Sequence, residues 1–371
     1  MPKPERLTHL KVAGFRSFRQ LDLKLADLTV LVGANGSGKS NLVDFFEMLS
    51  FMLSGSLQLY IGRKGGGSSV LHYGPKRSQD LTAELTFEGT TRTSNYAMSL
   101  SFAAPDRLIF TREEVAFQRT DDLRPYKDLL GVGQLETDLL QYAREKGDSA
   151  RHTVSRVFRM RLRDLQVYHF HDTSATAHMR TSQDIDRNAY LMSDGGNIAS
   201  FLHMLQSVHP IHFERIMSTV RLAVPYLQEF ELTPNPLNPG SISLRWRDRN
   251  PDYEFGPHQL SDGSLRAIAL ITALLQPEEL LPSLIVIDEP ELGLHPNAVG
   301  LIGQLIRAVA EKRQVLVATQ SPRLLSEFEP GDVVVVERDE DEMGYGGVEP
   351  QAAFRRRPGI LARRLRYRRA L

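Results

Sequence analysis

Apolar and polar positions alternate through Leu7, His9, Leu10 and Val12 and again through Leu21, Leu23 and Leu25, the period of half-buried strands. The pattern then changes to a continuous apolar run, Leu28-Thr29-Val30-Leu31-Val32, followed by Gly33-Ala34-Asn35-Gly36-Ser37-Gly38-Lys39-Ser40 and a stretch that reads as a helix from Lys39 to about Met52. Residues 62–69, Gly-Arg-Lys-Gly-Gly-Gly-Ser-Ser, have no apolar anchor and are expected to form a mobile loop. Alternation returns near 80–88, 95–103 and 107–118, as in Leu81, Ala83, Leu85 and Phe87, and predicts a small antiparallel sheet. From Leu123 to Arg163 the pattern turns helical and charged. A short strand, Leu165 to Phe170, leads into polar loop sequence up to Gly196, and helices are expected near 197–207 and 211–224 before the Pro/Asn-rich turn Thr233–Gly240. Further on, Ala267 to Leu275 reads as a helix, and Leu284-Ile285-Val286-Ile287 as a strand covered on both faces. No internal repeat is visible. The elements predict an α/β fold.

The Gly33–Ser40 segment matches G-x-x-x-x-G-K-[ST] in its required setting, after a strand and at the opening of a helix. Its glycines, with Gly36 and Gly38 at the turn, let successive N–H groups converge on phosphate oxygens, and the helix N-terminus adds unsatisfied donors and partial positive charge. Asn35, Ser37 and Asn41 complete the loop and its exit. Lys39 reaches for the β and γ phosphates, and Ser40 offers a hydroxyl to Mg²⁺. The pattern predicts a bound nucleoside triphosphate with Mg²⁺.

Two acids, Asp288 and Glu289, end the buried run at Leu284. Asp288 is placed to hold Mg²⁺ through its hydration shell, and Glu289 to orient or deprotonate an attacking water. Ser261-Asp262-Gly263 opens the Ala267–Leu275 helix, so Ser261 and Gly263 form a second candidate anion site. Ser261 reads equally well as an ordinary N-cap, and its place between a phosphate loop and an acid-terminated strand favours the functional reading. His169 and His171 flank Phe170 beside Asp172, a spacing that could suggest a metal, but the two are expected to point to opposite faces at the strand end and not to share one ion.

Composition narrows the setting. The 371 residues suffice for about two domains, and 41% are hydrophobic. The chain has no cysteine, which removes disulfides and thiolate metal sites and fits a reducing cytoplasm, bacterial cytoplasm or nucleoid being the expected location. No apolar run approaches the ~18 residues of a membrane span, and the start leads into a strand pattern in place of a leader. Lys plus Arg and Asp plus Glu are 45 each, so any attraction for nucleic acid must come from a local patch. One such patch is Arg-rich: after the acidic Glu337–Glu342, the tail carries Arg355, Arg356, Arg357, Arg363, Arg364, Arg366, Arg368 and Arg369 with no acid from 354 onward. It reads either as a phosphate-tracking segment or as a solvated tail.

The phosphate loop Gly33–Asn41, the strand Leu10–Phe18, the Leu260–Arg266 segment in the place of an L-S-G-G-Q signature and the Asp288-Glu289 pair together resemble RecF-like and SMC-like ABC-type ATPases, close to the RecF and OLD groups. Asp262 and Ser264 depart from the usual signature, and no sustained seven-residue repeat marks a long coiled coil. The resemblance implies an ABC-type head of two lobes, with a mixed sheet and a parallel core sheet, and a helical insertion. Its parts are lobe I at 1–122, a mainly helical insertion at 123–225, lobe II at 226–340 and an acidic-to-basic tail at 341–371. It further implies an ATPase that forms a homodimer on ATP, with Ser261 and Gly263 acting on the partner's nucleotide, and a role on DNA in repair, recombination or genome maintenance. A regulatory ATPase of an anti-phage defence system, controlling a partner nuclease, is the alternative; a transporter role is disfavoured by the absence of membrane helices. By the same resemblance Arg16 lies near nucleotide phosphates, and Gln320 stands where many relatives carry a switch histidine. His295 is a dimer-interface candidate, with a plain loop histidine before a helix-initiating Pro296 as the other reading.

Overall fold

The alternation at the start of the chain becomes the strands Arg6–Phe15 and Phe18–Lys24, paired antiparallel with Leu10 opposite Leu23 and Val12 opposite Leu21. This computed structural model describes residues 5–122, 124–145, 147, 149–250, 252–339 and 351–355. The chain divides into two compact units, one made of Met1–Gln166, Ser283–Val286 and Pro330–Leu371, the other of Val167–Pro282 and Ile287–Glu329.

In the first unit an antiparallel sheet runs in the order Phe18–Lys24, Arg6–Phe15, Asp80–Glu88, Arg92–Ala103, Arg107–Arg119, Tyr126–Gly131. One face is dry: Leu81, Leu85, Tyr96, Met98 and Leu100 are buried, while their neighbours in sequence are more exposed. Gly14 is required here, because its φ is +71° and a Cβ would lie 2.0 Å from the Asp80 carbonyl oxygen. Leu28–Val32 pairs in parallel with Val333–Asp339, which pairs antiparallel with Gln351–Arg355. The helix Lys39–Ser54 buries Leu42, Val43, Phe45, Phe46, Leu49 and Met52 and ends at Gly55, left-handed with φ 74°.

The second unit is mainly helical. Ile198–Val208, Pro210–Ala223, Asp262–Leu275 and Pro296–Ala310 are its long helices, and Glu229–Glu231, Arg245–Arg247 and Glu254–Phe255 form a small antiparallel sheet around Trp246, whose ring stacks on Phe255. Within Asp262–Leu275 every residue from Ala267 to Leu275 is buried, as an apolar sequence broken there only by Thr272 dictates. Every residue of Gln314–Thr319 is buried, as is every residue of Leu284–Asp288, whose Leu284–Val286 part is counted with the first unit; both read as strands covered on both faces. The architecture is therefore α/β, with an antiparallel sheet, parallel-paired buried strands and helical packing.

Two stretches differ from expectation. Residues 62–69 are not a loop: Leu57–Arg63 and Gly67–Val70 are short helices. Their anchor is remote in sequence, since Asp106 accepts from the Ser68 N–H at 2.7 Å and its main-chain oxygen accepts from Gly67 N–H at 3.1 Å. Within the stretch read as helical from Leu123 to Arg163, Tyr126–Gly131 is a strand, because the edge of the sheet offers it a ladder that outweighs weak local preference. The helices begin later, at Asp138 and Ala150, each capped by the preceding Thr137 or Ser149 hydroxyl. The acidic run from Glu340 to Glu342 and the arginines from Arg356 onward lie outside the described residues.

A register shift opposite Ser99–Leu100 changes the phase of Arg107–Arg119, so that Glu113 falls on the dry face after Leu108 and Phe110. Its carboxylate accepts from Tyr96 OH at 2.7 Å, from the Thr137 hydroxyl and from Asp138 N–H at 2.9 Å. Burial pushes the Glu113 carboxyl above its ordinary range, and these three donors only partly offset that. Glu113→Ala removes the shared acceptor of three donors and is expected to lower stability by roughly 3 kcal/mol in urea unfolding. Because the folded carboxyl titrates above the unfolded one, its contribution is fully present below the unfolded value and declines as pH rises through the folded value. The stability difference between the wild type and Glu113→Gln should narrow over that window.

Candidate active site

The phosphate loop lies wholly in the first unit. Gly36 and Gly38 adopt φ 73° and 109°, conformations that L side chains rarely take, and Gly38 is the N-cap of Lys39–Ser54. No side chain caps this helix start, which leaves the helix N-terminus to an anion. Gly33 admits no side chain either, since a Cβ would meet the Val336 carbonyl oxygen at 2.3 Å. Lys39 is 4% exposed, and its ammonium donates to the Gly33 and Ala34 carbonyls at 2.7 and 3.0 Å. Ala34, Asn35, Gly36 and Ser40 are exposed and Ser37 is buried. The Asn41 side chain donates to the Ser17 hydroxyl at 2.5 Å, tying the loop exit to the turn after the first strand. Arg16, at φ 47°, pairs with Asp44, which also receives Lys64 at 2.8 Å. The Arg16 guanidinium is thus held on a carboxylate of the first helix.

The acids belong to the second unit. Asp288 is 9% exposed and ends its strand. Glu289 follows at φ 45°, a strained conformation for a non-glycine residue, held by a 2.8 Å bond from its N–H to the Ala318 carbonyl. The Gln320 amide donates to the Glu289 carboxylate at 2.7 Å, so the two residues singled out at the ends of neighbouring buried strands meet side chain to side chain.

Glu291 organises the same corner, although its role was not legible in sequence. One of its oxygens accepts from the Thr319 hydroxyl at 2.6 Å and from the N–H groups of Gln320 and Ser321, both at 3.1 Å. His295 is exposed and serves as N-cap of Pro296–Ala310, its Nδ1 accepting from Asn297 N–H at 3.3 Å; Pro296 sits at the first helical position. Ser261 likewise caps Asp262–Leu275 through Ser264 N–H at 3.1 Å, and its hydroxyl lies 2.8 Å from that of Ser264.

Two arginines hold the start of this helix. Arg180, 6% exposed, donates to the carbonyls of Thr173, Pro257 and Leu260 and pairs with Asp262 at 2.7 Å. Arg266 donates to the carbonyls of Phe170, His171 and Leu292 at 3.0, 2.8 and 3.1 Å. A lone arginine inside the apolar run Leu265–Leu275 was the available signal for the second of these.

The histidine pair also differs from expectation. Residues two apart on a strand share a face, and the strand in any case ends at Tyr168 before either histidine, so nothing holds His169 and His171 on opposite faces. Their ring centroids are 6.1 Å apart, and His171 Nε2 lies 3.0 Å from the Asp288 carbonyl oxygen. Asp172, by contrast, is exposed and accepts from Ser174 N–H at 3.0 Å.

A phosphate loop, an acid-terminated buried strand and a capped signature-like helix on an α/β framework define an ABC-type ATPase of the RecF/SMC-like class. More particularly, the chain belongs to the family described as AAA domain, putative AbiEii toxin, Type IV TA system, whose model matches residues 28–326. It is 31% identical over 129 residues to the DNA replication and repair protein RecF of Pseudarthrobacter chlorophenolicus, a stretch covering 34% of this chain and 28% of that protein. A second RecF, from Paenarthrobacter aurescens, is 49% identical over 49 residues, 13% of this chain and 12% of the relative. The matched stretches thus span 28% of the one RecF relative and 12% of the other. Its fold is that of an Smc head bound to the C-winged helix domain of ScpA, with TM-score 0.57, 16% identity, and coverage of 94% of this chain and 98% of that one. It is likewise similar to the Smc head with an extended coiled coil bound to the C-terminal domain of ScpA from Pyrococcus furiosus, with TM-score 0.54, 13% identity and 99% coverage of both chains.

Gly263 tests the packing of the signature-like helix. A Cβ there would lie 2.1 Å from the Gly293 carbonyl oxygen. Alanine in a helix gains ~1 kcal/mol of propensity over glycine, but forcing two backbone segments apart costs about 1–3 kcal/mol. Gly263→Ala is therefore expected to lower the thermal midpoint, and an unchanged or higher midpoint in calorimetry would contradict that contact.

Proposed function

We propose that the chain binds ATP with Mg²⁺ at Gly33–Ser40 and hydrolyses it with the help of Asp288 and Glu289. The observation that carries this reading is the uncapped helix start at Gly38, preceded by a loop whose two glycines hold positive φ, with Lys39 folded onto its carbonyls. Such a loop gathers main-chain donors and a cation where a triphosphate needs them. Ser40 and Asp288 are hard oxygen donors suited to Mg²⁺, which supplies charge neutralisation to the phosphates. Glu289, strained and hydrogen-bonded by Gln320, is the residue that positions or deprotonates water. Gln320 cannot carry a proton or a charge, so turnover is slow or partner-dependent.

In this reading the cycle is a switch: ATP brings two chains together, with Ser261 and Gly263 of one serving the nucleotide of the other, and hydrolysis separates them. His295 lies at the contact between chains. The switch acts on DNA in repair, recombination or genome maintenance; the RecF similarity supports this over its limited span. The family description favours a second reading, in which the same ATPase regulates a toxin-like or anti-phage defence system with a separate nuclease effector. Among the described residues no helix is long and apolar enough to cross a membrane.

Lys39→Ala should weaken ATP binding at least about a hundredfold, read by nucleotide titration, because it removes the charge that complements the phosphates. Glu289→Gln should retain ATP, be dimeric by mass, and gain further mass when duplex or single-stranded DNA is added. A chain monomeric with ATP would sink the two-chain switch, and a dimer indifferent to DNA would shift the assignment to the partner-nuclease reading. Gln320→His should leave ATP affinity unchanged and raise steady-state turnover; a sharp fall would count against the proposed role of this position.

A further inference from the structure

We propose that His169, His171 and Asp288 form a binding site for one borderline divalent transition ion, of the Zn²⁺ and Co²⁺ kind, that the nucleotide-free chain takes up on its own. One ring nitrogen of each histidine and one carboxylate oxygen of Asp288 all lie within 4.8 Å of one another. Donors around a single ion at about 2.1 Å per bond are at most about 4.2 Å apart, so small side-chain rotations close the set. Two imidazoles sharing such an ion have ring centres roughly 5–6 Å apart by the same bond lengths, close to the 6.1 Å observed.

The backbone that carries these donors is held on several sides. His169 N–H donates to the Ser193 carbonyl at 2.8 Å, and Arg266 grips the Phe170 and His171 carbonyls. His171 Nε2 sits 3.0 Å from the Asp288 carbonyl oxygen. When that nitrogen donates there, the tautomer is set and Nδ1 keeps its lone pair, the outer hydrogen bond that metal-binding histidines use to fix their rings. Asp288 is buried and both histidines are half-buried, so the site excludes much competing water.

The donor set selects the ion. A carboxylate alone suits Mg²⁺ or Ca²⁺, whereas two imidazoles with one carboxylate favour a first-row transition ion and leave open positions for water or a ligand oxygen. The site shares Asp288 with the Mg²⁺ reading of the ATP site, but uptake of this ion requires no nucleotide and does not depend on Gly33–Ser40.

The test is a Co²⁺ titration of the full-length, nucleotide-free chain followed by visible absorption, then displacement by Zn²⁺ and challenge with excess Mg²⁺. The expected result is one equivalent of Co²⁺ with a ligand-field band, displaced by Zn²⁺ and not by Mg²⁺. Affinity should fall at least about tenfold in His169→Ala and in His171→Gln, the latter retaining a donor for the Asp288 carbonyl. His209→Ala is the control, since His209 and His212 also lie 6.1 Å apart, and it should bind Co²⁺ as the wild type does. Thermal unfolding of each variant without metal checks that the fold is kept. Absence of binding, equal displacement by Mg²⁺, or affinity unchanged in both His169→Ala and His171→Gln overturns the proposal. ATP affinity, measured separately, is expected to survive that outcome.

Discussion

The Arg266 guanidinium donates to three main-chain carbonyls, those of Phe170, His171 and Leu292, and the corner that carries the acids depends on it. It stands on the first turns of an otherwise apolar helix, so its charge is tied down by directed hydrogen bonds to carbonyl dipoles. From there the constraint spreads. The histidine segment is held beside Asp288, and the loop after Glu289 is pinned so that Gly293 can approach Gly263 without a side chain between them. Arg180 does the complementary work at the helix start through Asp262 and three carbonyls. With two long cations in place, Ser261 serves as a cap and its hydroxyl stays at an exposed helix N-terminus.

A second economy of the fold is the use of single carboxylates to satisfy several donors. Glu291 gathers the Thr319 hydroxyl and two N–H groups, which sets the chain direction after the buried strand and aims Gln320 at Glu289. Glu113 does the same in the antiparallel sheet, at the cost of a buried carboxyl whose proton affinity rises. Asp106 does so for the turn at Gly67 and Ser68. Each links segments far apart in sequence, and each replaces what a local propensity would otherwise have to decide.

The phosphate loop, the buried acid-ended strand and the main alternating strands were legible because their determinants are local. Glycine at the positive-φ positions, Lys39 at the loop end, four apolar residues before Asp288 and a period of two all act within a few residues of where they are read. Two of the failures share one cause. Residues 62–69 look like a free glycine loop because their anchor, Asp106, enters from a distant strand. Tyr126–Gly131 is a strand because Arg107–Arg119 offers it an edge. The expectation of opposite faces for His169 and His171 is a different case: positions two apart on a strand share a face, and the strand stops at Tyr168 before either of them.

By itself, then, the amino-acid sequence determined the class of element at most positions, the phosphate loop and the identity of the acid pair, since covalent neighbours set backbone preference and local charge. Tertiary structure alone decided the company each residue keeps: Gln320 on Glu289, Arg16 on Asp44, Gly263 against Gly293 and the two histidines with Asp288. Those pairings depend on where the chain returns after tens or hundreds of residues, and no local pattern of apolar and polar positions encodes that return.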